Sequence, residues 1–424
     1  MHIAVIGAGV VGATTAQALS LRGHKVTVIE RLGQAGLETS RANAGQRSYG
    51  SVYPWASPAM IKKALPWLMQ RDGPLKMHIP PSLATLRFLV ATWRYAMTPG
   101  LFDANKRAML RLGAYSRECF QSLEENLELD FDGDRGGLIE LASSEESLQG
   151  LQAKAALLHE MGIAHQLLDP EETYECEPGL ARSGPLKGAL QVTEDGTGDC
   201  HRFTQGIAKA CEAEGVRFLY ETEVTGVVRE QGRLCALTLA ANASGAPRES
   251  LAADAFVLCA GTDSNEFASH FRLRVPSYPV KGYSLTAPLI DPERAPRSTL
   301  VDDLYKVAAT RLGTRMRVTG FVELAGYNRQ IPERRLATLR KAIDSRFPGA
   351  ADLKSAEAWT GFRPMTPDGP PIIGAGRERN LYLNTGHGTF GWTFSAAAAQ
   401  LTAQLIDGEK TAVPLKPFSP QRFD

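Results

Sequence analysis

The sequence predicts an α/β protein: a Rossmann-like dinucleotide-binding domain, discontinuous in sequence, joined to a second α+β domain of mixed sheet and helices. Three observations predict it. The chain opens with an apolar run into a glycine turn, Ile3-Ala4-Val5-Ile6-Gly7-Ala8-Gly9-Val10-Val11-Gly12. A second apolar run, Lys25-Val26-Thr27-Val28-Ile29, stops at the acid Glu30, roughly 20 residues further on as a ribose-binding acid requires. Similar signals recur much later, in Ala255-Phe256-Val257-Leu258-Cys259-Ala260-Gly261 and Leu381-Tyr382-Leu383-Asn384.

In the opening unit, Gly7 permits the tight turn, Gly9 lets a pyrophosphate approach the backbone, and Gly12 lets the helix pack closely on the sheet. Phosphates would rest on the helix N-terminus, where unpaired N–H groups and the dipole favour negative charge. Glu30 would accept hydrogen bonds from ribose hydroxyls and repel a 2′-phosphate, so FAD or NAD fits better than NADP.

The recurrences divide the chain. Residues 1–60, 195–265 and 356–424 are expected to form the cofactor domain. Within them are a helix from Phe203 to Glu214, strands at 216–220, 224–228 and 234–239, and an Ala-rich helix running through Ile406 to Gly408. Residues 61–194 and 266–355 are expected to form the substrate domain. The first insert begins with helical periodicity (Met109, Leu112, Tyr115, Cys119, Leu123) and ends in mixed strand-like pieces around 136–141. The second alternates as strands at 280–285, 305–310 and 316–320, a sheet laid over the cofactor.

Composition excludes several classes. With 47 basic and 46 acidic residues the formal net charge is +1, which leaves no global electrostatic case for nucleic acid. The six cysteines are scattered without CxxC or metal-ligand spacing, so no metal is expected and reduced thiols in a cytoplasmic compartment are. The first strand begins at residue 2, leaving no room for a signal peptide, and no apolar run is long enough to span a bilayer. Residues 83–97 mix large apolar side chains with Arg87 and Arg94. That segment reads either as a helix packed on its own protein or as a peripheral contact with the inner face of the cytoplasmic membrane.

Other blocks carry chemistry. Leu37-Glu38-Thr39-Ser40-Arg41-Ala42-Asn43-Ala44-Gly45-Gln46 is rich in small and hydroxyl residues whose amides can face a phosphate or a flat ring. Thr360-Gly361-Phe362-Arg363-Pro364 places an arginine in a Gly- and Pro-bounded turn, as a bidentate carboxylate clamp or as a structural ion pair. Leu383-Asn384-Thr385-Gly386-His387-Gly388-Thr389-Phe390-Gly391-Trp392-Thr393 is a glycine-rich loop entering a helix, able to stabilise negative charge on a reduced flavin. His387 reads as a loop-orienting hydrogen bonder or a proton carrier.

These blocks, with the central Asp195-Gly196-Thr197-Gly198-Asp199-Cys200 and Val280-Lys281-Gly282-Tyr283-Ser284, resemble the D-amino acid oxidase-like family of flavoproteins along essentially the whole chain. The resemblance implies a cofactor domain of the glutathione-reductase type, non-covalent FAD, and oxidative deamination of D-amino acids to 2-oxo acids and ammonia. Electrons would pass to a quinone or other respiratory-chain acceptor. Carried over by position, Ile6, Gly7, Gly9, Val10, Val11, Gly12, Glu30 and Arg31 match the ADP-binding turn and its acid. Thr39, Ser40, Asn43, Ala44, Gly45 and Gln46 match the loop along the pyrophosphate and flavin. Val224 would use its backbone near the adenine, beside Ala260 and Gly261, while Gly386, His387, Gly388 and Thr389 match the loop at the flavin's pyrimidine edge. Arg363 matches the carboxylate-binding arginine, and Tyr283 and Tyr305 match strand residues facing the substrate. The implied mechanism pairs the substrate carboxylate with Arg363 and a tyrosine hydroxyl, setting Cα–H over flavin N5 for hydride transfer. Arg47-Ser48-Tyr49-Gly50-Ser51-Val52-Tyr53 departs from the family pattern and is placed to line the pocket. Rival readings are a dehydrogenase of cyclic imino acids such as hydroxy-D-proline, an oxygen-using D-amino acid oxidase, a flavin-binding subunit without turnover, and an NAD-only dehydrogenase.

Overall fold

His2–Ile6, Lys25–Ile29, Ala255–Leu258 and Leu381–Thr385 are short runs buried on both faces, the pattern of interior parallel strands. The computed structural model, which describes residues 1–69, 73–231, 233–242, 244–271 and 273–424, pairs them so. The sheet runs Ile372–Ala375, Leu381–Thr385, Ala255–Leu258, His2–Ile6, Lys25–Ile29, Arg217–Leu219, parallel throughout except for the first, edge strand.

Alternate residues of this sheet meet different layers. Ile3, Val5, Val26, Val28 and Val257 pack against helices Val10–Leu21, Cys200–Ala213 and Gly391–Ile406. Ala4, Ile6, Ile29, Phe256 and Leu258 pack against Val224, Leu234, Leu237 and Leu239 of a small antiparallel sheet, Thr222–Glu230, Arg233–Ala241 and Pro247–Ala252. The three layers are those of the expected cofactor domain. Helix Cys200–Ala213 begins earlier than Phe203 because the Asp199 carboxylate caps it, accepting from the His201 and Arg202 amides.

A second, larger sheet runs Glu357–Met365, Tyr278–Pro288, Arg315–Leu324, Val307–Leu312, Thr299–Asp302, Leu138–Ala142, Gly188–Val192, His165–Leu168, with Leu75–Met77 added beside Arg315–Leu324. One face is covered by helix Glu333–Arg346, whose Leu336, Leu339 and Ile343 pack on Tyr283, Leu285, Val307 and Val318. The other faces the first domain across a cavity.

The structure corrects two expectations here. Glu357–Met365, assigned above to the cofactor segment starting at 356, pairs with Tyr278–Pro288 from Thr286↔Glu357 to Tyr278↔Met365 and belongs to the larger sheet. Tyr305 lies in a turn and not on a strand, because the Asp302 carboxylate accepts from the Leu304 and Tyr305 amides and folds the chain back.

Candidate active site

The carboxyl ends of the parallel strands converge on a cavity of about 650 Å³ that continues beneath the larger sheet. Ligands of doubly wound sheets bind at this end. The glycines explain the near wall. Gly7 has φ +102°, and a β-carbon on Gly12 would lie 1.9 Å from the Gly7 carbonyl oxygen, so neither position accepts a side chain. Helix Val10–Leu21 starts at Gly9 with no side-chain cap from that residue and no acid in its first turn, leaving its N-terminus to an anion. Ser40 Oγ accepts from the Val10 amide at 3.0 Å. At the end of the second strand, Glu30 accepts from the Ala8 and Leu32 amides at 2.8 and 2.9 Å, and burial pushes its carboxyl up from the usual range.

Of the residues matched to the cofactor, Ile6, Gly7, Gly9, Val10, Val11, Glu30, Arg31, Thr39, Ser40, Asn43, Ala44, Gln46, Val224, Ala260, Gly261, His387, Gly388 and Thr389 line this cavity. Gly12, Gly45 and Gly386 stand behind it as backbone devices, the last two with φ +71° and +69°. His387 is buried, and burial pulls its imidazole down to about 3, so it is neutral at any working pH. Four buried polar atoms of cavity-lining residues lack a hydrogen-bond partner among the described residues: Trp55 Nε1, Asn384 Oδ1, His387 Nε2 and Trp392 Nε1. An acid and a helix N-terminus without a charged cap in one part of the wall, with unsatisfied polar atoms elsewhere in it, suit a long ligand that is anionic in its middle and polar along a flat ring. FAD fits that description.

Arg363 lies on strand Glu357–Met365 of the larger sheet and not in a turn, because Gly361 to Pro364 pair in unbroken register with Pro279 to Gly282. Its Nη1 donates to the Phe321 carbonyl at 3.1 Å and, weakly, to that of Lys281 at 3.4 Å. Among the described residues no carboxylate is within ion-pair distance, and burial alone lowers its guanidinium to about 10. This is a cation without a counter-ion on a cavity wall, which rules out the structural ion-pair reading. Gly282, on the neighbouring strand, makes it possible: a β-carbon there would sit 2.5 Å from Nη1.

The two tyrosines fare differently from expectation. Tyr283 reaches the cavity wall, but its ring packs on Phe321 beneath helix Glu333–Arg346 and its hydroxyl donates to Glu323 at 2.7 Å. It occupies the strand face opposite Val280 and Gly282, hence opposite Arg363. Tyr305 does not line the cavity, and its hydroxyl bonds Ser345 at 3.1 Å. Neither hydroxyl stands beside Arg363. In the divergent stretch, Ser48, Ser51 and Tyr53 line the cavity, whereas Arg47 is enclosed by the Phe120, Phe131 and Trp392 rings and pairs with Glu124. Tyr53, set edge-on to Phe390 at 5.9 Å, is half-exposed and lines the cavity. Trp55 and Glu140 also line it and carried no motif that marked them in the sequence, and Trp359, which opens the block 359–374, lines it as well.

A glycine-turn nucleotide cradle, a glycine loop opposite it and a free guanidinium under a second sheet define a flavin-dependent oxidoreductase. The chain belongs to the FAD dependent oxidoreductase family, whose profile matches residues 2–405, and FAD is its cofactor. It is 42% identical over 424 residues to a D-amino acid dehydrogenase of Cereibacter sphaeroides, covering 100% of this chain and 95% of that one. It is 40% identical to one of Rhizorhabdus wittichii, covering 100% of both. Among solved structures, glycine oxidase from Geobacillus kaustophilus superposes with a TM-score of 0.78 at 24% identity, covering 99% and 98% of the two chains. L-proline dehydrogenase from P. horikoshii gives 0.76 at 21%, covering 100% and 97%. These two likenesses speak for the fold.

Proposed function

We propose that this chain is a D-amino acid dehydrogenase, converting D-amino acids to 2-oxo acids and ammonia and passing the electrons to a quinone or similar respiratory acceptor. The observation that carries the reading is Arg363, a guanidinium on the cavity wall with no acid among the described residues to neutralise it. A substrate carboxylate supplies that charge through two parallel hydrogen bonds. FAD, when bound, would supply the two-electron oxidising chemistry for the substrate's α-carbon.

The chain's own residues orient and desolvate. Arg363 fixes the carboxylate, and Gly282 sets where the guanidinium lies. Val280, Trp359 and Met365 line the cavity around it and exclude water. Holding the α-carbon in a near-attack geometry is worth roughly 7–11 kcal/mol. His387, neutral with a free Nε2, offers one hydrogen bond to a ligand edge without adding charge. The reactive species is the fraction of substrate whose amine is unprotonated, so no side-chain base is needed.

The membrane-facing part of the reading rests on helix Leu83–Ala96. Its inner face, Thr85, Phe88, Thr92 and Ala96, is buried, while Leu83, Leu86, Val90, Trp93 and the following Met97 are each at least 45% exposed along one stripe. Arg87 and Arg94 flank the stripe, the composition of an interfacial helix. Among the described residues no helix is long and apolar enough to cross a membrane.

The test is anaerobic mixing of the FAD-loaded protein with D-, L- and cyclic amino acids, followed by reoxidation with oxygen or a water-soluble quinone. Bleaching by D-isomers with fast quinone and slow oxygen reoxidation is expected. Bleaching only by L-isomers, or stoichiometric peroxide, would overturn the substrate or the acceptor assignment respectively.

A further inference from the structure

One row of side chains crosses the larger sheet where it roofs the cavity. Thr319, Ala308, Val301 and Glu140 are direct cross-strand partners on four successive strands, and all four line the cavity. Small side chains leave room along the row, which ends at an acid. Its neighbour Ile139 packs in the cluster beneath helix Glu333–Arg346, so alternation along the strand turns Glu140 to the cavity face. Lys154, on helix Glu145–Glu160, does not line the cavity; it pairs with Glu140 Oε1 and donates to Ser51 Oγ at 2.9 Å. Glu140 Oε2 has no hydrogen-bond partner among the described residues and is not one of the buried unpartnered atoms, the side chain being 17% exposed. A carboxylate oxygen is therefore open to the cavity. Asp303, two residues beyond Val301, lines the same end, its Oδ1 held by the Ser143 amide and hydroxyl at 3.0 and 2.6 Å. Lys306 also lines it but is exposed to solvent.

The near end of the row approaches Arg363, whose guanidinium donates to the Phe321 carbonyl. Three strand spacings and one two-residue step separate Phe321 from Glu140, a gap of roughly 16 Å. Extended D-arginine with a hydrogen-bonded ion pair at each end covers about that length, whereas D-alanine and D-valine stop well short of it. We propose that Glu140 is a specificity-determining residue, receiving the guanidinium or ammonium tip of a long substrate side chain whose carboxylate is held by Arg363. Val301 and Ala308 pack on the methylenes between. This deepens the reading of the chain as a D-amino acid dehydrogenase and rests on it for the reaction, though not for the binding.

Two pairs of equal chain length isolate the cationic tip from size: D-arginine against D-2-aminooctanoate, and the amine-free carboxylates 5-guanidinopentanoate against octanoate. The readouts are the ratio of kcat/KM for the first pair and the ratio of Kd for the second, the latter from perturbation of the flavin spectrum without turnover. Glu140→Gln and Lys154→Met both break the Glu140–Lys154 pair, and retained flavin absorbance shows that each has folded. They separate a binding role from a structural one because only the first removes the ligand's partner. The preference for the cationic member is expected to fall at least tenfold in Glu140→Gln and to be kept or to rise in Lys154→Met, where Glu140 has lost its competing cation. If no D-amino acid is oxidised, the reaction assignment fails while the carboxylate pair still tests Glu140. A preference that does not fall in Glu140→Gln, or that falls as much in Lys154→Met, overturns the inference.

Discussion

Gly282 lies directly beneath the guanidinium of Arg363: a β-carbon at 282 would fall 2.5 Å from Nη1 and 2.7 Å from Cζ. The two residues sit on adjacent antiparallel strands, with Val280↔Arg363 and Gly282↔Gly361 in register. Arg363 therefore crosses the gap that a missing side chain leaves. Gly282→Ala is expected to push the guanidinium off its place, raising KM for D-amino acids at least tenfold while FAD binding is kept. Steady-state kinetics with flavin absorbance check this, and an unchanged KM would show that the arginine's position is not what binds the carboxylate.

The charge on Arg363 has a limit in pH. Burial disfavours the cation and brings its guanidinium down to about 10, below the ordinary arginine range. The charged form, and with it affinity for a carboxylate, is complete well below that pH and is lost as pH rises through about 10. Titrating a non-reactive carboxylate into the holoenzyme between pH 7 and 10.5 is expected to show constant affinity at first and weakening at the alkaline end. Arg363→Ala should bind the same ligand at least 100-fold more weakly at pH 7, a loss typical of removing a charged hydrogen-bonding partner.

Most of the cofactor cradle was legible because nucleotide binding is done with backbone. Gly7, Gly9 and Gly12 write their requirement as the absence of a side chain, and Glu30 marks a strand end, so local spacing suffices. The substrate end was read less well for the opposite reason. Arg363 stood out as a charged residue bounded by Gly and Pro, but which tyrosine accompanies it depends on strand face. Alternation along strand Tyr278–Pro288 puts Tyr283 on the far side from Val280 and Gly282, where its hydroxyl meets Glu323. Tyr305 was read as strand because the Asp302 side chain that makes its turn looks the same in sequence as any surface acid. Trp55 and Tyr53 lie in irregular chain, where no periodicity indicates direction.

The loop at 325–331 ties the larger sheet to the nucleotide cradle. Arg329 holds both oxygens of Glu38 at 2.9 and 2.7 Å and covers the Phe362 ring, while the Tyr327 hydroxyl donates to the Thr262 carbonyl at 2.9 Å. Glu38 and Thr262 line the cavity. An exposed ion pair is worth at most about 1 kcal/mol, so global stability should barely move when it is cut. Retention of FAD is the sensitive quantity. Arg329→Ala combined with Tyr327→Phe is expected to speed FAD release roughly fivefold, read by recovery of flavin fluorescence on dilution. The difference should shrink in 0.5 M salt as screening weakens the pair in the wild type.

Asp195 is fully buried, and its environment sets a pH dependence of stability. Oδ1 accepts from the Gly50 amide at 2.8 Å, while Oδ2 has no partner among the described residues. Burial pushes the carboxyl up to about 7, against the opposing pull of the Gly50 amide and the Lys154 ammonium, itself paired with Glu140. The folded state thus holds a proton that the unfolded chain has released by about pH 4. Between pH 4 and 7 the native protein binds more protons than the unfolded one, so this group makes stability fall as pH rises through that window. Full ionisation costs on the order of 2–4 kcal/mol by pH 8. Asp195→Asn keeps an acceptor for the Gly50 amide and cannot ionise. Its Tm is expected to match or trail the wild type at pH 5 and to gain several degrees on it at pH 8. Parallel Tm curves for the two proteins across that range would mean that Asp195 is ionised throughout, and that a neighbouring cation or an ordered water satisfies Oδ2.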